Sequence, residues 1–237
     1  MEMSKRTCFL KALFVLLPLV VAGSSLSAVQ SQPAGKEEHT VKTEAINAAK
    51  AKAHLESEVK TNKKTKKMQE HLQGKGFKPA NGEKDFFAQK TNYIDAKGQD
   101  VQIEVYVQNF VKGKSKNKVA QGQVVVTKKG TPRTTYDFYL DAVDGDFQGN
   151  IEEYYIDDAT NTVKKANSWW SCVKAKIQNK CSTTCVGALV TCIGAPDWSS
   201  YLLCVSLKCG SCWLKWTACC TCNCSWSCEW ACGCCKR

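Results

Sequence analysis

Cysteine is confined almost entirely to the end of this chain of 237 residues. Fifteen of its sixteen cysteines lie in the last 66 residues, and none occurs between Cys8 and Cys172. A segment this short buries too little apolar surface to fold without cross-links, so this density indicates a disulfide scaffold or a metal–thiolate cluster. The chain therefore consists of a cysteine-rich tail and a preceding part that has to fold without cross-links.

The first part of the chain, residues 1–28, has the three-part pattern of a secretory signal peptide. Lys5 and Arg6 precede an apolar run, and small residues follow it. The run is shorter than the roughly 20 apolar residues of a membrane-spanning helix. We expect cleavage after Ala28, loss of Cys8 with the signal, and a secreted, extracellular protein whose surroundings allow disulfides to persist.

Residues 29–40 are predicted to be a polar linker, and residues 41–167 an α+β domain. From Val41 to Gln73 the chain is rich in Ala, Lys, Glu and Gln without Pro or Gly, which predicts one or two amphipathic helices. Beyond Gly76 the apolar period becomes two, which predicts four to six antiparallel strands. The runs concerned are 85–93, 101–108, 119–127, 134–143, 151–156 and 162–165.

The middle domain carries no catalytic motif that we can identify. Its histidines lie in or near the helical part without a nucleophile motif, and it has no glycine-rich phosphate loop. The acidic residues around Gly145 and Gly149 lack the spacing of a calcium loop. We therefore predict no enzyme, no cofactor and no metal site. The lysines between residues 60 and 67 have no aromatic residues among them, so we predict no nucleic-acid partner.

The tail, residues 168–237, is predicted to be a small, disulfide-rich, partly helical C-terminal domain. Two short apolar helices, around residues 185–189 and 201–207, would form a hairpin whose second helix begins at Asp197. The number of tail cysteines is odd, so one thiol stays free, pairs with another chain or is capped. The disulfide candidates are Cys172, Cys181, Cys185, Cys192, Cys204, Cys209, Cys212, Cys219, Cys220, Cys222, Cys224, Cys228, Cys232, Cys234 and Cys235.

Two chemistries compete for these thiols. The Cys-x-Cys spacing after Cys219 also suits Zn²⁺ or Cu(I). Bulky tryptophans inside the cluster, the absence of histidine after His71 and the predicted export all favour disulfides. An exported, uncleaved metal-binding or surface structural protein is the alternative.

The tail is also basic, with seven Lys and Arg residues against Asp197 and Glu229. Indoles and a lysine lie side by side in residues 213–216, as in peptides that bind the membrane interface. The alternative is that the tryptophans form the small core of the tail. The predicted contacts with a target-cell membrane are Trp213, Lys215, Trp216, Trp226 and Trp230.

The order of parts resembles that of the halocin-type bacteriocin precursors. The residues that match are Cys181-Ser-Thr-Thr-Cys185, then Val-Gly-Ala-Leu-Val-Thr-Cys192 and Ile-Gly-Ala-Pro, followed by an apolar helix that contains Cys204. In that family an export signal and an N-terminal immunity domain precede a cysteine-rich bacteriocin that proteolysis releases. The resemblance implies an antibacterial tail and a middle domain that confers immunity or keeps the tail inactive.

We therefore expect a secreted bacteriocin precursor that a processing protease cuts between Lys165 and Cys172. Its other partners would be the target-cell membrane and its own N-terminal domain. The acidic residues from Asp137 to Asp158 offer a surface for the basic tail. A secreted enzyme inhibitor, with the middle domain as the active part, is a further alternative.

Overall fold

The computed structural model of the protein describes residues 42–94, 98–130, 132–157, 159–166 and 169–221. Within these ranges, eight strands form one antiparallel sheet and six α-helices pack on its two faces. The predicted signal peptide with its cleavage point at Ala28 lies outside the described residues, as does the linker 29–40. So do Trp226, Trp230 and the cysteines from Cys222 onward.

The strands are β1 (Lys42–Ala45), β2 (Lys78–Pro79), β3 (Phe86–Ile94), β4 (Asp100–Val111), β5 (Lys118–Lys128), β6 (Thr134–Ala142), β7 (Ile151–Asp157) and β8 (Thr162–Ala166). They pair in the order β1-β3-β4-β5-β6-β7-β8, and β2 pairs with β4 beyond the end of β3. All six runs that the sequence predicts to be strands are strands. The additional β1 and β2 are too short to show a period of two.

Two helices, α1 (Ala48–Thr61) and α2 (Lys63–Gly74), cover one face of the sheet, which we call the helix face. Asn47 caps α1, and Asn62 separates the two helices and caps α2 through its side-chain oxygen. The predicted amphipathic helices are observed, and their apolar side chains a turn apart point at the sheet. These side chains are Ala51, Leu55, Met68 and Leu72.

The tail forms the layer on the other face of the sheet. It contains α3 (Trp169–Lys180), α4 (Thr183–Thr191), α5 (Trp198–Cys209) and α6 (Ser211–Thr221). The predicted hairpin is confirmed as α4 and α5, and the Asp197 carboxylate caps α5 by accepting a hydrogen bond from the Ser200 N–H at 2.8 Å. The α+β middle domain followed by a disulfide-rich helical segment is therefore the observed fold class.

Four disulfides connect pairs of described cysteines in the tail, and each of these four lies inside the loop that the next one closes. From the innermost outward they are Cys192–Cys204, Cys185–Cys209, Cys181–Cys212 and Cys172–Cys220. The paired Cα atoms are between 4.4 and 6.0 Å apart, within the range that the bond requires. Cys219 is disulfide-bonded as well. The described part of the tail is therefore a disulfide scaffold.

Candidate functional site

The candidate functional site is the interface between the sheet and the tail. Side chains along β3 to β6 alternate between the two faces of the sheet. Those that point away from α1 and α2 form a surface that we call the tail face, and most are apolar: Phe87, Val101, Ile103, Val105, Val107, Ala120, Val124, Phe138 and Leu140. They share one buried core with tail side chains that include Trp169, Trp170, Trp198, Tyr201 and Trp213.

Aromatic rings make the central contacts of this core. Trp198 is fully buried and meets the ring of Phe147 edge-on, with the centroids 4.9 Å apart. Trp169 stacks on Phe138 at 4.6 Å. Edge-on and offset arrangements of this kind stabilise a contact beyond the area that it buries. The sheet thus covers a large indole surface of the tail.

Gly122, in the middle of β5, provides the space for this stacking. A Cβ atom at that position would lie 2.4 Å from the Phe138 ring, closer than any real Cβ contact. Any side chain there would force the ring away from its place beneath Trp169. The contact between sheet and tail therefore depends on a glycine.

Hydrogen bonds from two indoles fix the position of the tail on the sheet. Trp198 Nε1 donates to the Lys118 carbonyl at 2.8 Å, and Trp213 Nε1 donates to Gln89 Oε1 at 2.9 Å. Lys118 Nζ in turn donates to the Ala195 carbonyl at 2.7 Å. A buried donor without a partner costs about 1–3 kcal/mol, so other placements of the tail are disfavoured.

The sheet also supplies acceptors to the beginnings of two tail helices. Asn109 Oδ1 accepts hydrogen bonds from the Ser199 N–H and hydroxyl, both at 3.1 Å, in the first turn of α5. Glu153 Oε2 accepts from the Trp170 N–H at 2.9 Å at the start of α3. The first N–H groups of a helix lack partners within it and carry partial positive charge, so an acceptor is favoured there.

The Glu153 carboxyl is buried, with 3 % of the residue exposed. Burial raises its pKa above the ordinary value of 4.5, although the Trp170 N–H and the Tyr136 hydroxyl, which donates at 3.3 Å, act in the opposite direction. Burial likewise raises the pKa of Tyr136, with a further contribution from Glu153. The link between β7 and α3 is therefore sensitive to pH.

We expect Glu153→Gln to remove one component of the pH dependence of stability. Because the folded pKa of Glu153 lies above its unfolded value, its stabilising contribution is complete below pH 4.5 and is lost as the pH rises through the folded pKa. The free energy of unfolding of the variant should not show this decline with rising pH. Urea denaturation in a series of buffers from about pH 4 to about pH 7 measures it.

The neighbouring Glu152→Gln is the matched control. Hydrogen bonds from Lys165 and Tyr154 lower the pKa of Glu152, so its contribution is present above the unfolded pKa and is lost as the pH falls. The two variants should therefore change the pH profile in opposite directions. Identical profiles would contradict the burial of Glu153 at the start of α3.

The structure describes three of the five predicted membrane-contact residues, and two of them are buried. Trp213 lies edge-on to Phe87 with the centroids 5.9 Å apart, and Trp216 is 8 % exposed. The ammonium groups of Lys176 and Lys215 lie 5.4 and 5.7 Å from the Trp216 ring, and Lys215 itself is exposed. In the intact chain both indoles are buried and Trp213 belongs to the core between sheet and tail, so contact of Trp213 and Trp216 with a membrane stays a prediction for a released tail.

The basic tail is not held to the sheet by ion pairs. Among the residues that the structure describes, no tail lysine pairs with an acidic residue between Asp137 and Asp157. Asp137 accepts a hydrogen bond from Thr65 on the helix face, and Glu152 pairs with Lys165 of β8. Within the described residues the contact between sheet and tail rests on apolar burial and on hydrogen bonds, including the one that Glu153 accepts from the Trp170 N–H, and an electrostatic surface for the tail stays a prediction.

Two residues of the interface were not predicted from the sequence. Gln89 and Asn109 are polar side chains on an otherwise apolar face, and each accepts a hydrogen bond from an N–H group of the tail. One signal was present for Asn109. It continues the apolar odd-numbered positions of β4 from Val101 to Val107, where a polar residue needs a partner.

Within the described ranges, no group of three or more His, Cys, Asp or Glu side chains is placed to hold a metal ion. Nor does any helix there combine the length and the apolar character needed to cross a membrane. The Cys-x-Cys spacing that suits Zn²⁺ or Cu(I) falls mainly on cysteines outside those ranges. No protein-family model, curated protein or solved structure matches the chain.

Proposed function

We propose that this chain is a secreted precursor whose tail is an antibacterial peptide, stored against the sheet of the same chain until proteolysis releases it. One observation supports this most directly. The four described disulfides join tail residues to one another, whereas the tail's largest aromatic side chains are buried on the sheet. One backbone cut before α3 would therefore separate tail from sheet and leave the disulfide scaffold intact.

Release would uncover the indole face of the tail. The described tail also carries lysines at positions 174, 176, 180, 208 and 215 against the single acidic residue Asp197. Indoles favour the headgroup region of a bilayer and lysines favour anionic lipids, so bacterial membranes are the proposed target. The tail face of the sheet, which fits the same indoles, would bind the peptide and protect the producing cell.

The elements on either side of the proposed cut narrow the range in which we expect it. β8 ends at Ala166, which pairs with Glu153, and α3 begins at Trp169. Backbone held inside a strand or a helix is a poor protease substrate compared with the connection between them. Within the predicted range from Lys165 to Cys172, we therefore expect cleavage between Ala166 and Trp169.

Intact-mass spectrometry of the secreted products, with and without reduction and thiol labelling, tests the proposal. We expect a fragment that begins between Asn167 and Trp169 and gains two hydrogens for each disulfide on reduction. The purified fragment should inhibit bacterial growth, and the uncut chain in the same assay should not. A single uncut chain with free or metal-protected thiols would contradict the proposal and favour the metal-binding alternative.

A further inference from the structure

The hairpin of α4 and α5 has a second apolar surface on the side away from the sheet. Val190 is 58 % exposed, Ile193 40 %, Leu203 49 % and Leu207 78 %. We call these four side chains the outer patch. Among the described residues, the other large apolar side chains with this degree of exposure are Ile94 and Val111, which belong to the sheet.

The four side chains lie on two segments that one disulfide joins. Val190 and Ile193 lie within two residues of Cys192, Leu203 lies next to Cys204, and the Cα atoms of the two bonded cysteines are 5.8 Å apart. Leu203 and Leu207 are one helical turn apart on α5, so they lie on the same side of that helix. The outer patch is therefore built from the two segments of the hairpin that this disulfide holds together.

The opposite side of α5 is apolar as well, with Trp198, Leu202 and Val205 buried toward the sheet. A helix at the surface of a globular protein normally turns a polar face outward. A helix that is apolar on both sides indicates a second apolar partner. Clustered exposed side chains of this kind mark an interaction surface, whereas single ones do not.

The charge beside the outer patch indicates which partner fits. Lys208 follows Leu207, and its ammonium group donates to Thr191 Oγ1 at 2.9 Å, which places the charge across the same hairpin. Between Cys181 and Cys212 the one acidic residue is Asp197, whose carboxylate is engaged in capping α5. Apolar side chains beside an ammonium group match the boundary between acyl chains and anionic headgroups.

We infer that the outer patch binds anionic lipid surfaces, and that it does so while the tail still lies on the sheet. The inference rests on the proposed function for its target but does not depend on cleavage, because the patch is exposed in the intact chain. The precursor would thus attach to a membrane through one face of the hairpin while the indole face stays covered.

Co-sedimentation of the intact secreted chain with vesicles tests the inference. We expect binding to phosphatidylcholine vesicles that contain phosphatidylglycerol, weak binding to phosphatidylcholine alone, and a decrease at high salt. The double variant Leu203→Gln/Leu207→Gln should bind the anionic vesicles about tenfold more weakly, since it loses the apolar part of the contact. Both changes are on the surface, so the midpoint of unfolding should stay near that of the original chain.

The matched control is the double variant Ile94→Gln/Val111→Gln, which removes comparable exposed apolar side chains from the sheet and should bind like the original chain. Equal loss in both variants, or no binding to anionic vesicles, would overturn the inference. A dimer in size-exclusion chromatography that disappears in Leu203→Gln/Leu207→Gln would also overturn it and make a second copy the occupant.

The two proposals fail in different ways. If the released peptide inhibits bacteria but the intact chain does not bind vesicles, the proposed function is supported and the role of the outer patch is wrong. If the intact chain binds anionic vesicles through the outer patch and no antibacterial fragment appears, lipid binding by the patch is supported and the precursor function is wrong.

Discussion

Replacing Trp198 with alanine is expected to lower the free energy of unfolding by about 3–5 kcal/mol. The indole is fully buried between sheet and tail, where it contacts Phe147 and Trp170 and donates a hydrogen bond to the Lys118 carbonyl. Alanine would leave a cavity at the centre of the interface and an acceptor without its donor. Urea denaturation of the oxidised protein, followed by circular dichroism, measures the loss.

Leu207→Ala is the control on the same helix. Its side chain is 78 % exposed, so the free energy of unfolding should stay within about 0.5 kcal/mol of the original value. A similar loss in both variants would mean that the effect comes from α5 itself and not from its contact with the sheet. After cleavage before α3, Trp198→Ala should also release the tail fragment more readily in size-exclusion chromatography.

Replacing Cys172 and Cys220 together with alanine is expected to lower the free energy of unfolding by about 2–4 kcal/mol. This disulfide closes the longest of the described loops, with a sequence separation of 48, and ties α3 to α6. Without it the unfolded chain gains conformational freedom. Replacing both residues creates no new unpaired thiol, and urea denaturation measures the change.

The pair Cys192→Ala/Cys204→Ala provides the comparison. Its sequence separation is 12, and the entropic contribution of a disulfide grows with loop length, so the loss should be about 1 kcal/mol smaller. A larger loss from the short loop than from the long one would contradict loop entropy as the source of stability in the tail.

The positions of the strands could be predicted from the sequence, but the coverage of their two faces could not. Alternation of apolar and polar residues in β4 predicts a sheet with one solvated face. β5 instead is buried along most of its length, because Gln121 and Gln123 bind Thr65 of α2 on the helix face. Polar residues in a strand suggest a solvent-exposed face even where their side chains bind buried partners. The sequence alone therefore did not indicate that the helix face is buried as well as the tail face.

The fate of the tail tryptophans illustrates the same limit. The indoles in residues 213–216 suit the membrane interface, as predicted, but a small core also accepts such large apolar side chains. In the intact protein Trp213 is part of the core, because its ring lies edge-on to Phe87 and its Nε1 donates a hydrogen bond to Gln89. Both partners lie far earlier in the chain. Likewise the hairpin of α4 and α5 followed from local signals at Gly194 and Asp197, whereas cysteine pairing depended on how α3 and α6 pack.

The concentric arrangement of the four disulfides has a consequence for the order in which the tail is made. Because these four bonds nest without crossing one another, closure of the loop between Cys192 and Cys204 shortens the next loop, and each further bond brings the next two thiols closer. The sheet precedes the tail in the chain, and N-terminal parts of a chain generally fold first, so we expect the tail helices to pack on the sheet as their disulfides form.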